Sequence, residues 1–199
     1  MNLIERAKNI LLQPEQEWPV IETEATTTEG LYLNYIAPLA AIPAIAAFIG
    51  LSVVGINLPF SGETFRISIG SGLAYAVTNF LLTLGAVYIL ALVINALAPN
   101  FGGEKNMQQA LKLVAYSSTA SWLAGIFAIF PPISFIGLLG LYSLYLFYLG
   151  LPVMMKCPAD KTLGYTITII VSAIVIFLVV GVVSSSFISY PMPGFPGMR

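Results

Sequence analysis

Few side chains in this sequence are equipped for chemistry. Histidine is absent, which removes the commonest general base and metal ligand. One cysteine, Cys157, excludes an internal disulfide and cannot alone form a thiolate metal site. Ser117, Ser118 and Ser121 lie close together, but there is no histidine to activate them and no lysine in the apolar stretch that holds them. Gly102-Gly103 is not followed by Gly-Lys-Ser/Thr, so it reads as a turn and not as a phosphate loop. No catalytic residue, metal ligand set or cofactor is expected. What remains is a scatter of polar and aromatic residues in otherwise apolar segments: Asn34, Tyr35, Pro38, Asn79, Asn95, Tyr116, Ser117 and Ser121. Asparagines in apolar helices hydrogen-bond to neighbouring helices. These eight are candidates for an interaction surface or for the lining of a polar cavity.

The elements that must position them are set by composition. Hydrophobic residues make up 58% of the 199 residues and charged residues only 9%, against about 25% charged in ordinary soluble domains. Mean hydropathy is +0.89. That excess exceeds what one core can bury, so the surrounding solvent is lipid. The net charge of −1 supplies no basic field for nucleic acid. The chain is organised around Leu113 to Met155, 43 residues without Asp, Glu, Lys or Arg, with Pro131-Pro132 near the middle. A bilayer crossing takes about 20 apolar residues, so this stretch predicts two crossings joined by a tight turn.

The expected fold is an all-α membrane protein, a bundle of five crossings at about 31–54, 69–97, 113–130, 133–155 and 163–187. Residues 1–30 precede it and a Pro/Gly-rich tail, 189–199, is expected to be disordered. Leu3, Ile4, Ala7, Ile10 and Leu11 recur at helical spacing between charges, which predicts a short amphipathic helix ended by Pro14. It could lie in the interface with Trp18 as anchor, or pack on the bundle's own face. Glu15, Glu17, Glu22, Glu24 and Glu29 read as a solvated acidic linker, and Thr26-Thr27-Thr28 as a helix entry. Pro38 and Pro43 predict a kinked first crossing packed against neighbours. Ala40/Ala44 and Ala46/Gly50 would let another helix approach closely. A polar break at 57–67 carries Glu63 and Arg66. Tyr142, Tyr145 and Tyr148 form a winding stripe for packing and interface anchoring. Cys157 reads as an inert thiol at the membrane surface.

Six basic residues (Arg6, Lys8, Lys105, Lys112, Lys156 and Lys161) fall on the N-terminal side of five crossings, and only Arg66 and Arg199 on the other. This predicts a cytoplasmic N-terminus and an external C-terminus. No crossing carries a charge near its centre, which argues against a proton-coupled transporter.

Tyr32-Leu33-Asn34-Tyr35-Ile36-Ala37-Pro38-Leu39 resembles the Asp-Leu-Tyr-Gly-Pro-Leu signature of the Yip-domain family of Ypt/Rab-interacting membrane proteins. Lys112 to Trp122, with Tyr116-Ser117, resembles that family's Gly-Tyr-Ser signature, and Gly164-Tyr165 and the number of crossings agree. Leu3 to Trp18, with Pro14 and Trp18-Pro19, looks like the prokaryotic branch. The resemblance implies an inner-membrane protein without enzymatic activity, working through contacts with lipids, other membrane proteins or a second copy. Eukaryotic members are associated with Rab GTPases. Here Asn34 or Leu33 stands for the signature aspartate and Ala37 and Ala115 for its glycines, so GTPase binding is not carried over. The opposing expectation is a small oligomeric channel or transporter, which requires the polar candidates to converge on one cavity.

Overall fold

The computed structural model describes residues 2–57 and 64–186; Glu63, Phe187 and the tail at 189–199 lie outside the described residues. The chain is helical nearly throughout. Helix α1 (Leu3–Leu12) starts on Asn2, whose side chain accepts from Ile4 N–H, and Gln13 turns the chain into α2 (Pro14–Thr23). Pro14 opens α2, where its missing N–H costs nothing. The acidic linker expected at 15–24 is therefore corrected: most of it is helix. Its inner face buries Glu17, Trp18 and Ile21. The linker reading failed because apolar anchors three and four positions apart were hidden among carboxylates.

Thr27 caps α3 (Thr28–Leu31) by accepting Gly30 N–H at 3.0 Å, as the triple threonine predicts. A wide π-type turn at Tyr32–Ile36 follows, then α4 (Ala37–Phe48). Pro38 has no N–H for the Asn34 carbonyl, and Ala37 N–H bonds back to the Tyr32 carbonyl instead. A second wide turn, Ile49–Val54, ends at Gly55, whose φ of 85° suits glycine. Strands β1 (Ile56–Asn57) and β2 (Thr64–Phe65) pair antiparallel, Ile56 opposite Phe65.

Helix α5 (Ile69–Leu97) is the longest element, and α9 (Ala159–Ser185) packs along it. Between them run α6 (Met107–Ser117), α7 (Thr119–Ala124) and α8 (Tyr142–Met155). The segment expected to make the third crossing is broken. Helix α6 gives way at Ser118, and after α7 a tight 3-10 stretch covers Gly125–Ile129. A further 3-10 stretch, Pro131–Leu141, takes the first half of the expected fourth crossing. Among the described residues, four helical stretches are long and apolar enough to cross a membrane: Thr28–Val54, Ile69–Phe101, Pro132–Met155 and Ala159–Ser185.

Close backbone approaches lock the bundle. A Cβ on Gly125 would lie 2.5 Å from Pro43 Cβ, and one on Gly50 would collide with the Ala128 carbonyl. Ala40, Ala44 and Ala46 are buried as the small-residue spacing predicted. At the Leu97 end of α5, Glu104 N–H bonds to the Met155 carbonyl at 2.8 Å, joining the loops before α6 and after α8. Tyr145 and Tyr148 face outward, and Tyr142 donates to the Leu11 carbonyl at 3.0 Å, tying α8 to α1.

A candidate interaction site beneath the N-terminal hairpin

Helices α1 and α2 fold back on one another and close the Leu97 end of the bundle. Ile10, Trp18 and Ile21 are almost fully buried. Trp18 lies against Gly150, where a Cβ would come 2.5 Å from the indole, and its Nε1–H donates to the Leu146 carbonyl at 3.1 Å. The last carbonyls of α2 have no intrahelical partners, and side chains from α6 reach them. Lys112 Nζ donates to the Ile21 carbonyl at 2.9 Å and the Glu24 carbonyl at 2.5 Å, and Gln109 Nε2 to the Glu22 carbonyl at 2.9 Å. A cation at a helix C-terminus also meets the negative end of the helix dipole. Burial pushes the Lys112 ammonium below the ordinary lysine value, while Glu24 and Glu22 pull it back up. Lys156 pairs with Glu22 at 2.7 Å.

Arg6 is the centre of the arrangement. It projects from the inner face of α1, is 3% exposed, and pairs through Nη1 with Glu17 and through Nη2 with Glu24. Its guanidinium carbon sits 5.6 Å from the centroid of the Tyr116 ring, within cation–π range. Tyr116 in turn packs on Tyr35, ring centroids 4.6 Å apart and tilted by 58°. Thr119 Oγ1 donates to the Tyr116 carbonyl at 2.7 Å, which leaves its lone pairs to accept the Tyr35 hydroxyl at 2.7 Å. A buried pair of this kind adds little net stability compared with an apolar replacement, but removing one partner strands a charge at a cost of about 3–5 kcal/mol.

An open cavity of about 360 Å³ lies beside these groups, lined by Arg6, Glu24, Thr26, Asn34, Tyr35 and Tyr116 among others. The two segments singled out in the sequence thus meet: Tyr35 comes from the first, Tyr116 from the second. Asn34 is exposed at the rim, and Pro38 is exposed outside the cavity.

The remaining candidates go elsewhere. Asn79, Ser117 and Ser121 line a separate cleft of about 450 Å³ with Thr83, Ser118 and Ser143. Most of their polar atoms are already paired: Asn79 Nδ2 donates to Ser184 Oγ at 3.4 Å, Ser117 to the Leu113 carbonyl at 2.6 Å and Ser121 to the Gly140 carbonyl at 2.9 Å. Asn95 lines neither space, and its buried Oδ1 has no partner among the described residues. Among the described residues the cavity-lining candidates therefore divide between two spaces instead of converging on one, which does not favour the channel or transporter reading. No group of three potential metal ligands occurs among the described residues. Cys157 is buried, its thiol pushed up by burial and 3.3 Å from the Phe101 carbonyl.

Sequence reasoning missed Arg6, Glu17, Glu24, Lys112 and Thr119. A signal existed for Arg6. It stands three after Leu3 and four before Ile10, which puts it on the apolar stripe, where an arginine requires buried carboxylates.

Long apolar helices packed through small residues, with most of the described charges gathered at one end, define a polytopic α-helical membrane protein. Residues 8–182 match the model of the Yip1 domain, and the chain belongs to that family. It is similar to Inner membrane protein YohC of Escherichia coli strain K12 and of E. coli O6:H1, in each case 31% identical over 118 residues. That match takes in 59% of this chain and spans 60% of the length of those relatives. No solved structure matches the chain.

Proposed function

We propose that this Yip1-domain protein is a non-enzymatic component of the inner membrane that works by contact, recognising a membrane protein or a lipid at the end of the bundle closed by α1 and α2. The observation that carries the reading is the Tyr35–Tyr116 pair, held under Arg6 at the edge of the core where it also lines a cavity. Placement in the inner membrane is supported by the name of the E. coli relatives. The chain crosses five times, with residues 113–130 as the broken third crossing and the hairpin in the cytoplasm. The excess of basic residues at the hairpin end supports that orientation. No GTPase is proposed as partner.

The test is photocrosslinking in native inner membranes from position 34, where Asn34 is exposed at the cavity rim. A discrete adduct with an identified protein or lipid, absent from a control at lipid-facing Val175, is the expected result. Indistinguishable capture at the two positions would contradict a working surface at this end.

A further inference from the structure

Within this reading of the cavity as a contact site, we infer that it holds the zwitterionic head group of a membrane phospholipid, an ammonium and a phosphate diester borne together. Tyr116 supplies the first argument. The residue is 5% exposed, but its hydroxyl opens on the cavity and makes no hydrogen bond to any described residue, so it is free to meet a ligand oxygen.

Charge supplies the second argument. The charged residues in the cavity lining are Arg6 and Glu24, which pair with one another, so the lining is balanced. A ligand with net charge would leave one charge uncompensated in a half-buried space, whereas a zwitterion keeps the balance. Glu24 commits one carboxylate oxygen to Arg6, and its side chain is 37% exposed, leaving the other oxygen for an ammonium. The hydroxyls of Thr26, Thr27 and Tyr116 and the Asn34 amide are donors for a phosphate.

Depth is the third. Much of the lining comes from Glu24 to Thr27 and from Gly30, Leu31, Asn34 and Tyr35, which straddle the start of the apolar span at Thr28, the level at which head groups lie. Leu33 and Ile4, beside lining residues Asn34 and Leu3, are 64% and 72% exposed. Apolar side chains left open next to a polar cavity fit a rim that meets acyl chains. A cavity of about 360 Å³ is room for about a dozen waters at ~30 Å³ each, the scale of a head group and not of a whole lipid.

The test uses the full chain in nanodiscs of equal phosphatidylethanolamine and phosphatidylglycerol, with retained lipid counted by native mass spectrometry. Phosphatidylethanolamine is expected to be retained at least about tenfold over phosphatidylglycerol. Tyr116→Phe, which keeps the ring packing, and Glu24→Gln should each weaken that retention about tenfold. Equal retention of the two lipids, or unchanged retention in Tyr116→Phe at an unchanged melting temperature, would overturn the assignment. Displacement by soluble glycerophosphoethanolamine would give the site to a water-borne zwitterion and likewise overturn the lipid. A protein adduct from position 34 without lipid preference would sink this inference and leave the contact reading standing; capture at 34 no different from that at Val175, together with equal retention of the two lipids, would sink both.

Discussion

At the Leu97 end of α5, all three ion pairs among the described residues join side chains 11, 18 and 134 positions apart. At the Ile69 end, glycines do the corresponding work: Gly72 is pressed against Ser52, and Gly50 against the Ala128 carbonyl. The contrast follows from the surroundings. Lipid tails are as apolar as leucine, so helices in the bilayer are held by close backbone approach and not by the hydrophobic effect. At the membrane surface, water returns a driving force for burying Ile10, Trp18 and Ile21, and charged groups can be recruited to fix the geometry of that burial. Specificity in this molecule is concentrated where charge and aromatic rings meet, and close packing with a few side-chain hydrogen bonds holds the rest.

The sharpest way to break the contrast is Arg6→Ala. It leaves Glu17 buried without its cation and should cost about 3–5 kcal/mol, read as a lower midpoint of unfolding in mild detergent. An unchanged midpoint would mean that the pairs do not hold the hairpin. A smaller loss, about 1–3 kcal/mol, is expected for Gly50→Val, which forces a side chain against the Ala128 carbonyl. That variant should leave the surroundings of Trp18 untouched, whereas Arg6→Ala should disturb them; equal effects on Trp18 emission would show that the two ends are not independent.

The smallest effect concerns pH. Burial holds Lys112 below its ordinary 10.5, so in the window beneath that value the unfolded chain binds the proton more readily. Stability should therefore rise slightly as pH climbs towards 10.5, and Lys112→Met should flatten the rise. A fall over that window in the wild type would reverse the sign and contradict the burial argument.

Much of the architecture was legible because it rests on local rules. The first two spans, the Thr27 cap, the stop at Pro14 and the pairing of small residues were each written within a few positions. The segments carrying Tyr35 and Tyr116 were legible too, but not their contact, which joins distant parts of the chain. The ion pairs were hidden for a similar reason. Five glutamates in 15–29 look alike in sequence, and only the turn at Gln13 decides that Glu17 and Glu24 face Arg6. The break after Ser117 was also out of reach. Ser117 and Ser118 turn their hydroxyls back to the Leu113 and Val114 carbonyls, a bend that hydropathy does not register.

The N-terminal hairpin docks into the end of the bundle instead of lying in the interface. Trp18 reports on this directly once Trp122→Phe makes it the sole tryptophan of the chain. With Trp18 1% exposed and bonded to the Leu146 carbonyl, its emission should be resistant both to aqueous acrylamide and to lipids brominated near the head group. Strong quenching by the brominated lipid would place the indole among the head groups and contradict the docked hairpin.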